Sequence, residues 1–266
     1  MKMFGAYPFE SLLVGAATLL TIGGFWNIYF GSGSNPEPYH HLHVVTIFIW
    51  LTLLLCQLAL IGNGNYSTHR RLGLSILVAA PLLVASATLL SVQSAQKGLF
   101  SGQGDFMIVQ NVMGTLELAL IIFLGFALRR RRQLHASFLV STALLFMGIA
   151  MFFSLIGFVP GFKIEGPETF HRFGKALTTI QYACIAIGLL FFVKDPRSGW
   201  PFLLVGSTFS LNEFVKSLLA QRDLIQPLTE IVASVSKPLA VNTSFVFVLL
   251  LLAATGILKA RPKRLA

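Results

Sequence analysis

Eight stretches of this chain are each long and apolar enough to cross the hydrocarbon core of a membrane. They cover residues 8–30, 41–62, 70–93, 107–128, 135–158, 173–193, 200–220 and 241–259. A helix rises 1.5 Å per residue and needs about 20 apolar residues for the crossing. Lipid offers no partner to an open backbone, so such runs must be helical. They are too long and too uniformly apolar for barrel strands, which alternate over about 10 residues. The expected fold is therefore all-α: one polytopic transmembrane helix bundle spanning 1–266, with eight spans, or seven as the alternative.

Composition agrees. Hydrophobic residues make up 55% of the chain and charged residues only 11%, against roughly 25% charged in a typical soluble domain. Mean hydropathy is +0.76. Too few polar side chains exist to cover a water-soluble globule, and disordered chains are poor in apolar residues. The net charge of +10 does not call for nucleic acid, because membrane proteins concentrate Lys and Arg in cytoplasmic loops. With the N-terminus in the cytoplasm, thirteen of the 20 basic residues fall inside and six outside, with Lys216 within a span. This split places both termini in the cytoplasm. An even span count also puts the basic tail Lys259–Arg264 inside. Residues 11–26 resemble a signal-peptide core, but Glu10 stands at their entrance and no small-x-small cleavage site follows, so they read as an uncleaved first span. Cys56 and Cys184 fall within apolar runs and read as buried free thiols. Residues 221–240 carry Leu224, Leu228, Ile231, Val232 and Val235 at helical spacing, which predicts an amphipathic helix on the outer membrane surface.

Charges inside spans are costly and concentrate at functional positions. Glu117 stands ten residues into the fourth run, about 15 Å along a helix and close to the midplane. Gln110 and Gly114 share its face, and Asn111 lies beside Gln110. Such a stripe must face other helices. It reads either as a proton-relay or substrate-binding carboxyl, or as a protonated Glu hydrogen-bonded across a helix pair. Glu213 and Lys216 sit one turn apart on the seventh run, next to Asn212, where they can neutralise each other.

The six histidines sort by membrane face. His40, His41, His43 and His171 open helices at the outer surface; His69 and His135 open helices at the inner one. His40 and His43, spaced i and i+3, point together, and His171 would complete a metal set, since imidazole ligates zinc, copper and haem iron. His69 and His135 form a second candidate pair for haem. Arg70 and Arg71 would hold its anionic groups, with Arg129 to Arg132 nearby. Against these stands a plain interfacial role, because no His-x-x-x-His motif occurs and no His lies deep in a span. Walker loops, dinucleotide fingerprints and Cys-x-x-Cys are absent too.

Two inner hairpins look alike. Each joins apolar helices through an Arg-bearing loop and a histidine: His69-Arg70-Arg71-Leu72-Gly73 in one, Arg129-Arg130-Arg131-Arg132-Gln133-Leu134-His135 in the other. On these residues the chain is similar to a bacterial polytopic membrane family of unknown function. That family pairs His-Arg-Arg-Leu-Gly with an Arg-rich loop leading into His-x-Arg-Leu-Met. Here the second element departs, reading His135-Ala136-Ser137-Phe138-Leu139. The Arg-rich loop with His135 also resembles a small family of cytochrome c oxidase assembly membrane proteins. The likeness covers residues 40–160, with an echo at 195–206, and implies architecture more than chemistry.

Three functions fit this reading. The first is a redox-associated protein with histidine-bound haem or transition metal, exchanging electrons or quinone and handling a proton at Glu117. The second is a proton-coupled small-solute transporter, with Glu117, Gln110 and Asn111 at its site and Glu213 and Lys216 as a gate. The third is a non-catalytic assembly or scaffold protein whose partners are respiratory-complex subunits.

Overall fold

The computed structural model describes residues 7–102 and 104–257. Lys2, the Lys259–Arg264 tail and the last two residues of the eighth expected span lie outside the described residues. Those described form eleven α-helices and no strand: α1 (Pro8–Gly24), α2 (Pro38–Gly62), α3 (Tyr66–Gly73), α4 (Ile76–Ser101), α5 (Ile108–Ala127), α6 (Arg132–Phe158), α7 (Arg172–Lys194), α8 (Pro196–Gly206), α9 (Thr208–Ala220), α10 (Ile225–Ser234) and α11 (Lys237–Ala254). Six are long and apolar enough to cross a membrane: α2, α4, α5, α6, α7 with its preceding turn, and α11.

The other two expected crossings are built differently. α1 has 17 residues, but a π-helical turn over Trp26–Phe30 carries the coil on to residue 30. The 200–220 run is interrupted at Ser207, which separates α8 from α9. There the Ser207 and Thr208 hydroxyls donate back to the Leu203 and Val205 carbonyls at 2.9 Å each. Hydroxyls bonded to the preceding turn bend helices.

Local chemistry sets the ends. Glu37 and His40 form a capping box at the start of α2, with Pro38 in the first turn. Asn65 caps α3 by accepting from the Thr68 N–H at 3.1 Å. Asp195 caps α8 by accepting from the Arg197 N–H at 3.1 Å. Gly102, at φ +69°, closes α4 in a left-handed conformation that favours glycine.

The long helices run up and down. Contacts between distant segments show this: Glu10 meets Lys194 at 2.9 Å, and Arg129 donates to the Thr255 and Gly256 carbonyls at the end of α11. These gather at the face where α1 begins, called here the entry face. At the far face Lys97 pairs with Glu37, and Gln96 donates to the Ala233 carbonyl at 3.0 Å.

Two helices form the centre. α6 packs on α1, α5, α7 and α8, and α4 packs on α2, α5, α10 and α11. Between them lies one apolar core with Trp50, Leu51, Leu83, Ile122, Phe138, Leu144, Phe202 and Phe209 fully buried. Trp50 donates to the Thr142 hydroxyl at 2.8 Å, tying α2 to α6 through an otherwise apolar interior.

The last four residues of the 221–240 segment already belong to α11, and ten others form α10. Its Ile225, Leu228 and Val232 pack on Ala95, Ile108 and Val109 of α4 and α5, whereas Ile231 is exposed. The apolar face is thus divided between the bundle and the surroundings.

Candidate functional site

Between α2, α4, α5 and α9 the core turns polar. Glu117, Gln110 and Asn212 are all buried. Asn212 comes from α9, one turn beyond Thr208. With its amide nitrogen toward the carboxyl, Asn212 donates to Glu117 Oε1 at 2.8 Å and to the Thr208 carbonyl at 3.3 Å. Its oxygen then accepts from Gln110 Nε2 at 3.3 Å. The Thr208 side chain also sits against the carboxyl. Each polar group in this cluster therefore has a partner, as a low-dielectric interior demands.

A second polar group lies toward the far face. His43 Nδ1 is 3.1 Å from the Ser86 hydroxyl, and Ser86 is 2.7 Å from the Thr46 hydroxyl. A cavity of about 80 Å³ separates the two groups. His43 and Ser91 line one part; Gln110, Asn111, Gly114 and Thr115 line another; Phe25, Ile47, Leu145, Phe146 and Phe209 enclose the rest. That volume holds a few waters at most, and both ends offer the polar partners that buried water requires. Glu117 does not line the cavity itself. It is connected to it through Asn212 and Gln110. The arrangement can hold a proton on the Glu117 carboxyl, with a small cavity between its amide partners and His43.

The remaining site candidates go elsewhere. Glu213 and Lys216 pair with each other at 3.5 Å, and the ammonium lies over the Phe173 ring; they are not in the Glu117 cluster. The three histidines expected at the outer face do not converge. His40 Nδ1 accepts from the Glu37 N–H at 3.0 Å as part of the cap, His43 faces Ser86, and exposed His171 donates to the Glu168 carbonyl at 2.9 Å. Among the described residues no three His, Cys, Asp or Glu side chains gather into a metal-binding group.

At the entry face His69 lies within range of the charge of His135. His135 Nδ1 donates to the Gly125 carbonyl at 2.7 Å, which leaves Nε2 as the open nitrogen. Gln57 from α2 reaches His69 Nδ1 and accepts from the Gly73 N–H at 3.1 Å. Burial, with the neighbouring His135 and Arg70, holds the His69 imidazole below its ordinary range. Arg70 bonds the Tyr66 carbonyl of its own helix at 3.2 Å, and Arg71 is exposed. Arg129 is spent on α11 and is not free for an anionic ligand. Of the cysteines, Cys184 is buried as expected, while Cys56 is exposed on the surface of the bundle; both are free.

Ser86, Thr46 and Thr208 are site residues that sequence reasoning missed. Hydroxyl residues in apolar helices usually bond the preceding turn, as Thr18, Thr21 and Thr88 do here. Their presence alone does not mark a site.

Fold and site together describe an all-helical apolar bundle, suited to a lipid bilayer, with a satisfied polar cluster at its centre. No family model matches the chain, and neither do the curated proteins or the solved structures with which it was compared.

Proposed function

We propose that this chain is an eight-span integral membrane protein of the bacterial inner membrane, with both termini cytoplasmic, that couples proton binding at Glu117 to movement of a small solute. α1 with its π-turn and the interrupted α8–α9 pair supply the two crossings beyond the six long helices. The observation that carries this reading is Glu117 itself: a carboxyl buried mid-helix, bonded across to α9 and linked through Asn212 and Gln110 to a small cavity. The cavity is too small for most solutes, so it corresponds to a closed state that opens on α9.

The test is proton flux in proteoliposomes carrying a pH gradient and an internal pH dye. The chain should dissipate the gradient when a transported solute is supplied from a small-solute panel, and Glu117→Gln should abolish that response. Equal flux in both proteins would overturn the reading.

A second reading rests on the entry face. His135 keeps Nε2 open by donating its Nδ1–H to the Gly125 carbonyl, and His69, whose Nδ1 accepts from Gln57 and whose proton is therefore on Nε2, would have to change tautomer to join it. They would supply nitrogen ligands to haem or a transition metal, with Arg70 and Arg71 near its anionic groups. Quinone or respiratory-complex subunits would then be the partners. Such a protein would show a Soret band or a stoichiometric metal that is lost in His135→Ala.

A further inference from the structure

The seam between α6 and α8 opens at the entry face into a surface cleft of about 530 Å³, lined by Arg131, Arg132, Gln133, Leu134, Arg197 and Ser198. The three arginines come from two different hairpins. None forms an ion pair within 4 Å among the described residues. The nearby carboxylate, Asp195, is occupied by the Ser198 hydroxyl and the Arg197 N–H, and these bonds, with the Arg197 charge, hold it in the charged form below its usual range. Guanidinium groups present forked donors that match phosphate oxygens.

What lies below the cleft selects among phosphate-bearing ligands. Arg197, Trp200 and Leu204 are spaced i, i+3 and i+7, so they form one stripe running from the cleft along α8. Trp200 is 37% exposed and Leu204 45% exposed. The Trp200 ring meets the Phe138 edge of α6 at 5.1 Å, bridging the seam. A cationic mouth, then an indole, then exposed aliphatic surface is the polarity sequence of a phospholipid: headgroup, interface, acyl chain.

We propose that the α6–α8 seam is a specific binding site for an anionic phospholipid, with its phosphate held by Arg131, Arg132 and Arg197 and an acyl chain laid along Trp200 and Leu204. The site is distinct from the Glu117 cluster and does not depend on the transport reading.

The experiment is native mass spectrometry of the full chain in detergent with added phosphatidylglycerol or phosphatidylcholine. Phosphatidylglycerol should be retained at one equivalent under conditions that strip phosphatidylcholine. Arg131→Gln/Arg197→Gln should weaken its retention about tenfold or more. The control Arg222→Gln/Lys237→Gln removes the same charge from exposed positions outside the cleft and should leave retention unchanged. Equal loss in both double variants would reduce the effect to general surface charge and overturn the site. So would equal retention of the two lipids, or displacement of phosphatidylglycerol by millimolar inorganic phosphate, which would mark a free-anion site. Should the double variant not fold, the Trp26→Phe protein carries the test. Brominated phosphatidylglycerol should quench its tryptophan fluorescence at lower lipid fractions than brominated phosphatidylcholine, and equal quenching would count against the proposal.

Discussion

The seam where α7 meets α8 and the gap enclosed by α2, α4, α5 and α9 are made from opposite materials. At the first, glycines let two backbones touch. A Cβ on Gly199 would land on the Phe191 carbonyl, one on Gly206 on the Cys184 carbonyl, and one on Gly188 would lie 2.6 Å from the Phe202 carbonyl oxygen. In lipid, helix association rests on such close packing. At the second, a few buried polar side chains bond one another beside a small cavity whose walls are otherwise apolar. The first region cannot change shape without losing its contacts, whereas the second can exchange partners. Chemistry belongs in the second.

Gly206→Leu should break the dry seam most severely. The side chain has nowhere to go but into the α7 backbone, so we expect a loss of about 3 kcal/mol or more, read as a collapse of the denaturation midpoint in detergent. Gly15→Ala, whose Cβ meets nothing within 4 Å, should be neutral or slightly stabilising. Equal effects would dissolve the distinction between packed and open glycines.

The polar gap should respond to partner loss rather than to volume. Glu117→Ala removes the carboxyl that accepts from Asn212 and should cost about 1–3 kcal/mol. Glu117→Gln keeps the shape and the bonds and should stay within about 1 kcal/mol of the parent. A thermal-shift comparison of the two separates bonding from packing.

How much of this was legible beforehand depends on how each residue announces itself. Glu117 and Gln110 stood out because charge and amide are rare in apolar runs, and their shared face followed from helical spacing. The long crossings were visible for the same reason. The break at Ser207 was not, since Ser and Thr suit a continuous helix as well as an interrupted one. Nor was His43 separable from His40 by sequence: three residues apart, one caps α2 and the other lines the cavity. Only the position of α4, which brings Ser86 to His43, distinguishes them. The division of the α10 face between bundle and surroundings depends in the same way on where α4 ends and α5 begins.

The smallest expected effect lies at the entry face. His69 favours its neutral form in the folded chain. The unfolded chain therefore binds the proton more readily as pH falls below about 6.5. Stability contributed by His69 should be complete above that pH and decline as pH falls toward the folded-state value. The imidazole is only half-buried, so the change should be under about 1 kcal/mol. His69→Gln should flatten the slope of the denaturation midpoint across this window.

The central claim is that Glu117 is a working proton site and not merely a buried bond. Infrared difference spectroscopy across a pH step tests it directly. The account predicts a carboxyl C=O band that changes with pH, shifts in Asn212→Ala and disappears in Glu117→Gln. A band that ignores pH, or a pH-dependent spectrum unchanged in Glu117→Gln, would contradict it.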